Sequence, residues 1–284
     1  GFGRSIWEIA ERLIQRGHEV RILAADVPEL AREPYPNHQV VEDCVQRDLG
    51  LFGYWKEGGA ELEGDLKHWE AVTQENLKIV RGVVDEFKPE VCMAGNLDFI
   101  FMNLGPILDW GIPLVHRLGN EDPGYSPDTM PRSPHFCLAG CSQWLNDKLR
   151  GIGFDAPNFA VIYPGASLHQ YYRLFAPKID RLRICFAGVM MGYKGPHVLL
   201  EALGLLKKLK IPFTCEFAGD FVDPRYEHHF KAFIEKYNVA EEVRLLGFCS
   251  RKQLAAMYAR NNVFVMPSSF DEPFGKVQVE AQSA

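Results

Sequence analysis

The 284-residue sequence predicts an α/β protein built as two parallel-sheet domains, residues 1–170 and 171–284. Three observations predict it. Short apolar runs of strand length alternate with stretches of helical period along almost the whole chain, the pattern of repeated βαβ units. The length suits two domains of ~100–150 residues and exceeds one. A segment without clear period, 168–182, interrupts the rhythm before it restarts and marks a linker.

In the first domain, Ile6, Ile9, Ala10, Leu13 and Ile14 recur at helical spacing, and Gly17 closes that helix at the position where a left-handed residue is favoured. Val20–Ala25 predicts a buried strand. Helices are expected over Glu75–Phe87 and Phe99–Asp109, with short strands at Val91–Ala94 and Pro113–His116. Phe136–Ser142 predicts a strand that runs into a helix at Gln143–Gly151, with Ser142 as its N-cap. Phe159–Gly165 reads as a strand ending in a turn.

In the second domain, strands are expected at Leu182–Ala187, Phe213–Ala218, Val243–Leu246 and Val263–Met266. Helices fall between them at His197–Leu209, Arg225–Tyr237 and Arg251–Arg260, and a last helix begins near Phe274-Gly275. A glycine turn feeding a helix is expected to follow a strand, yet Gly1-Phe2-Gly3 opens the chain. The closing helical pattern stops without a cap. Both features lead to the expectation of a piece cut from a longer chain.

Composition narrows the function. Apolar residues make up 47% and charged residues 24%, and no run of ~18 apolar residues is long enough to span a bilayer. Residues 1–170 carry 15 Lys and Arg against 25 Asp and Glu, a net −10; residues 171–284 carry 16 against 12, a net +4. An acidic first half argues against wrapping nucleic acid, and a mildly basic second half suits a phosphorylated small ligand. Seven cysteines, an odd number scattered through apolar runs, predict reduced thiols in a reducing compartment. The expected location is the cytoplasm, with peripheral membrane association compatible. Cys137 and Cys141 lack the further ligands a zinc site needs, so no metal is expected.

The segment from Val263 to Glu280 carries the most chemistry. A strand ends at Pro267, a polar turn follows, and a helix starts behind Phe274-Gly275, where free N–H groups form an anion site. Glu272 and Glu280 are separated by seven residues, which lets them reach hydroxyls on opposite sides of a phosphate, as a ribose and a hexose flanking a diphosphate would require.

This segment resembles the E-x7-E motif of retaining glycosyltransferases of family 4, which have the GT-B fold: two Rossmann-like parallel-sheet domains facing a cleft. The resemblance implies that Glu280 binds the donor ribose and that Glu272 contacts sugar hydroxyls. The amides of Phe274, Gly275, Lys276 and Val277 would meet the diphosphate. Phe186-Ala-Gly188-Val-Met-Met-Gly-Tyr-Lys194-Gly is similar to the family's G-R-x4-K-G stretch. Gly188 would approach the donor and Lys194 would neutralise the leaving diphosphate, so Lys194 and Glu272 are the expected catalytic pair. Val189 stands where the family has an Arg, which removes one cation. The backbone beside Gly247-Phe248 would receive the base.

In the first domain, Gly3 resembles the glycine loop of the family, and His116 with Asn120 are candidate acceptor-side residues. Gly119 stands where a His is usual, and Glu121 and Asp122 lie in the same loop. The resemblance implies a nucleotide sugar (UDP, GDP or ADP) as co-substrate and no other cofactor. It implies no metal, in line with the lack of an Asp-x-Asp motif, and a carbohydrate, lipid-linked or small-molecule acceptor. An oxidoreductase reading from Gly1-Phe-Gly3 and Asp26 fails, because Ile6 fills the place of the third glycine in the dinucleotide fingerprint. Two alternatives stay open: another GT-B reaction, such as an epimerase or phosphorylase, and a catalytically inactive nucleotide-sugar binder.

Overall fold

A computed structural model describes residues 2–25, 39–56, 59–95, 97–174 and 177–284. Gly1 and Asp26 lie outside the described residues. The chain divides into two compact units, Gly1–Pro164 and Gly165–Ala284.

The first unit opens on α1 (Phe2–Gln15), so Gly3 lies in the first turn of that helix and not in a loop ahead of it. Strand β1 (Ile22–Ala25) pairs in parallel with β2 (Val45–Leu49), and the short α2 (Gln39–Glu42) precedes β2. An antiparallel hairpin follows, β3 (Gly53–Lys56) with β4 (Gly59–Leu62). Helix α3 (Leu66–Phe87) begins nine residues before the expected Glu75, because the Asp65 carboxylate accepts a hydrogen bond from the His68 amide at 3.1 Å and caps the extra turns.

The main sheet of this unit is parallel, in the order β5 (Cys92–Gly95), β6 (Leu114–Leu118), β7 (Phe136–Gly140), β8 (Asn158–Val161). Its helices are α4 (Gly105–Asp109) and α5 (Gln143–Gly151). The helix expected over Phe99–Asp109 is cut to its last five residues: Phe99 sits at φ +64, a left-handed conformation outside any helix, and Pro106 stands in the first turn of the helix that forms.

Leu114, Leu118, Phe136, Leu138, Leu145 and Leu149 bury 97% or more of their surface, each worth ~1.5–3 kcal/mol of transfer free energy. One polar residue binds this core together. Asn146 accepts from the Gly140 amide at 2.9 Å and donates to the Ala160 carbonyl at 2.7 Å, joining α5 to β7 and β8. A Cβ on Gly140 would lie 2.3 Å from that Asn146 oxygen, so the contact requires glycine.

The second unit starts six residues before the expected boundary at 170/171. Helix α6 (Leu168–Tyr171) belongs to it, because Tyr171 is 2% exposed and packs its ring 6.0 Å from Tyr258. The linker expected over 168–182 is therefore partly core. The sheet is parallel in the order β11 (Val243–Gly247), β10 (Phe213–Ala218), β9 (Leu182–Ala187), β12 (Val263–Phe264).

Residues alternate between the two faces of this sheet. On one face Ile184, Phe186, Cys215 and Phe217 pack with Leu199, Leu200 and Leu203 of α7 (Pro196–Lys208) and Phe230 and Ile234 of α8 (Pro224–Lys236). On the other, Cys185, Ala187 and Ala218 pack with Leu254, Met257 and Tyr258 of α9 (Arg251–Arg260) and with Val277 and Ala281 of α10 (Lys276–Gln282). Glu216 points to this second face with 6% exposure. Its charge is compensated by Arg260 at 2.8 and 3.1 Å and by the Asn261 amide group at 2.8 Å, as a buried carboxylate requires. Strand β12 is two residues shorter than expected; the chain turns away towards Pro267 after Val265 donates to Cys185 at 2.9 Å.

Candidate functional site

The residues singled out in the second half gather at the carboxyl ends of its strands, where open parallel sheets place their ligands. After β9, Gly188 leads into a short 3₁₀ turn, Gly192–Lys194, which ends at Gly195 in the left-handed region (φ +70). A Cβ on Gly195 would lie 1.9 Å from the carbonyl oxygen of Pro267. This close approach sets the Lys194 turn directly against the loop that leaves β12. Ser269 fixes it from the other side, its amide donating to the Tyr193 carbonyl at 2.8 Å.

As a result, Lys194 and Glu272, 78 residues apart, meet. The Lys194 ammonium donates to both Glu272 carboxylate oxygens, at 3.0 Å to Oε1 and 2.8 Å to Oε2. Ser268 adds a third bond to Oε2 at 3.3 Å. Each side chain of the pair keeps 21% of its surface exposed, so the charges are partly removed from water without being sealed off. The Lys194 ammonium also lies 4.6 Å from the Phe270 ring centre and 5.5 Å from that of Tyr193. The two rings meet edge to face at 5.1 Å. Burial, and secondarily the Glu272 charge, raises the Tyr193 phenol, which therefore stays protonated at neutral pH.

Gly275 (φ +76) turns the chain into α10, so Phe274 and Gly275 precede the helix while Lys276 and Val277 are its first residues. Glu280 is fully buried, so a ribose reaches its carboxylate only if the turn ahead of α10 shifts. Gly247 (φ +65) ends β11, and Phe248 beyond it is half exposed. The Phe248 amide donates to Asp220 Oδ1 at 2.9 Å, so that N–H is already committed within the protein.

The first-unit candidates fare differently. His116 is a core residue, 1% exposed, with Nδ1 2.6 Å from the Tyr125 hydroxyl. Burial pushes its pKa down to about 3, which makes it neutral at pH 7. It presents no face to an acceptor, because β6 directs it inward. Asn120 is exposed. Glu121 pairs with Lys148 at 2.7 Å and Asp122 caps the Gly124 amide at 2.9 Å, so both have local structural partners.

Sequence reasoning passed over Asp220, Ser268 and the Tyr193–Phe270 ring pair. The rings carried a signal, each lying within two residues of a chosen charge. Asp220 carried only its place directly behind a buried strand and a glycine.

Residues 175–284 match the family model of the glycosyl transferases group 1. The match covers 110 of the 284 residues, 175 to 284. The chain that carries it is an enzyme of the glycosyltransferase class. This glycosyltransferase is 25% identical over 316 aligned positions to the D-inositol 3-phosphate glycosyltransferase of Pseudarthrobacter chlorophenolicus, covering 100% of the chain and 72% of that relative. To the enzyme of the same name from Streptomyces scabiei it is 25% identical, over 62% of the chain and 46% of the relative.

Among solved structures, a glycosyltransferase from Rickettsia africae superposes with a TM-score of 0.70 at 17% identity, over 99% of this chain and 73% of the other. Anabaena Alr3699/HepE, solved with UDP and glucose, gives 0.57 at 18% identity, over 93% and 78%. The fold is GT-B-like. No helix among the described residues is long and apolar enough to cross a membrane, and no group of three or more metal-ligating side chains occurs among them.

Proposed function

We propose that this glycosyltransferase moves a sugar from a nucleoside-diphosphate sugar to an acceptor hydroxyl, with retention of anomeric configuration and without a metal ion, as a family 4 enzyme. The Lys194–Glu272 pair is the observation that carries this reading. Both residues come from the motifs on which the resemblance rests, and the fold brings them within hydrogen-bond distance across 78 positions.

The pair suggests how the site works. The reaction breaks the bond between the anomeric carbon and the phosphate oxygen, which leaves with the electron pair, and forms a bond from that carbon to the acceptor oxygen, whose hydroxyl proton passes to the leaving diphosphate. Negative charge grows on the leaving diphosphate. A fixed ammonium at Lys194 stabilises that charge, in a partly dry setting where it acts more strongly than in water. Without donor, Lys194 holds Glu272 as its anion. A diphosphate takes over the ammonium and leaves the Glu272 oxygens for the sugar hydroxyls, the role of positioning and not of nucleophile. The turn Phe274–Val277 lines the diphosphate and Glu280 takes the ribose, with Gly188 and the Gly247–Phe248 turn completing the donor side. Asn120 remains the acceptor-side candidate.

The name shared by the two relatives makes D-inositol 3-phosphate the first acceptor to try, and the UDP and glucose held by the Anabaena protein make UDP-glucose the first donor. Calorimetry with UDP, GDP and ADP tests the donor site, and binding of none of them overturns the reading. Assay of nucleotide release against a panel of acceptors, with and without chelator, tests transfer and metal independence. The anomeric coupling constant of the product decides retention.

A further inference from the structure

Asp220, directly after β10, ties three strand ends together. Its carbonyl accepts from the Met190 amide behind β9 at 2.9 Å, and its Oδ1 accepts from the Phe248 amide behind β11 at 2.9 Å. Around it the ladder continues past the strands: Gly188 donates to Ala218 at 3.0 Å and Gly219 to Gly247 at 2.8 Å. A Cβ on Gly219 would lie 1.8 Å from the Gly188 carbonyl oxygen, so the backbones of β9 and β10 are in close contact just before Asp220.

The β11 end needs such a tie. Gly247 takes a left-handed step, a conformation that glycine leaves as readily as it enters. Phe248 then stands half exposed, with too little packing to hold the turn by burial. A carboxylate accepting from the Phe248 amide is a charge-assisted bond, stronger than a neutral one, and it selects one orientation of that peptide.

We infer that Asp220 is a positioning residue that sets which base the donor nucleotide carries, by fixing the main chain at Gly247–Phe248. The inference rests on the proposed function, in which that turn receives the base. Purines and pyrimidines differ in where their edges place donors and acceptors, and a backbone distinguishes them only while its own groups stay within hydrogen-bond geometry. The diphosphate end of the donor depends on Lys194 and the loop behind β12. Loss of the Asp220 bond therefore blurs base selection and leaves pyrophosphate binding alone.

The test measures dissociation constants of UDP, GDP, ADP and inorganic pyrophosphate by calorimetry on the full chain and on Asp220→Ala, Asp220→Ser and Asp220→Asn. The wild type should prefer one base. Asp220→Asn retains an acceptor oxygen and should keep the preference ratio within about twofold, whereas Asp220→Ala should reduce it by about fivefold or more, the effect of one lost hydrogen bond of this kind. Pyrophosphate affinity should stay the same in both.

A folded Asp220→Ala protein with the wild-type ratio overturns the inference. So does a parallel loss of pyrophosphate affinity, which would mark a general structural role. If the Ala variant does not fold, Asp220→Ser, too short to reach the amide in place, is read by the same criteria. A wild type that binds the three nucleotides equally overturns this inference alone. One that binds no nucleotide and no pyrophosphate overturns the proposed function beneath it.

Discussion

Glu272 is the competitor of any phosphate that approaches Lys194, since both its oxygens already hold the ammonium. Glu272→Gln removes that competition. The variant should bind a bare nucleoside diphosphate more tightly than wild type, by about two- to tenfold, the scale of a partly exposed ion pair. It should at the same time lose its preference for the nucleotide sugar over the nucleotide. Calorimetry with both ligands reads the two effects, and weaker binding of both would show that Glu272 supports the loop and does not compete.

His116 yields a prediction of another kind. Its folded pKa of about 3 lies below the ordinary 6.5, so between those values the unfolded chain binds the extra proton. Its contribution to stability is complete above pH 6.5 and is lost as pH falls towards 3, with a slope of at most about 1.4 kcal/mol per pH unit. Urea midpoints from pH 7 to 4 should show this loss in wild type and a flatter profile in His116→Gln.

At the scale of elements, Gly195 has the most specific task. Gly195→Ala meets the Pro267 oxygen at 1.9 Å and also carries a Cβ into a left-handed residue, which alone costs ~1–2 kcal/mol. The second unit should lose at least that much stability by urea midpoint, and donor affinity should fall because the Lys194 turn is pushed off the loop. Wild-type stability would mean that the turn and the loop move apart freely.

This contact also shows what a sequence can and cannot convey. Strands β9 and β10 and helix α9 lie where their apolar runs and caps place them, because local pattern and tertiary burial agree there. The hairpin Gly53–Leu62 was missed, since its strands are short and lack apolar alternation. Phe99 falls outside the helix expected to begin there, through a backbone conformation no pattern announces. Likewise Lys194 and Glu272 were each legible from the motif around them. Their bond was not, because it depends on a glycine meeting a carbonyl 72 positions away.

For the whole molecule, the distribution of packing matters more than the number of elements. The second unit has a buried cluster on each face of its sheet, drawn entirely from residues 171–284. The residues assigned to the donor diphosphate, base and ribose all lie in it as well. The first unit has its own parallel sheet and core, with Phe136, Leu145 and Leu149 at 0% exposure. Two separate cores of this kind lead to the expectation of two cooperative folding units.

Residues 165–284 expressed alone should therefore fold, melt cooperatively and bind a nucleoside diphosphate within about tenfold of the full chain's affinity, a difference of ~1.4 kcal/mol. Transfer to acceptor should be lost, since Asn120 and the whole first sheet are gone. Circular dichroism melts and calorimetry on the isolated unit measure the first two points, and nucleotide release with acceptor present measures the third. A unit that folds but binds no nucleotide would move the donor contacts to the first half of the chain. A unit that transfers sugar unaided would remove any need for that half in catalysis.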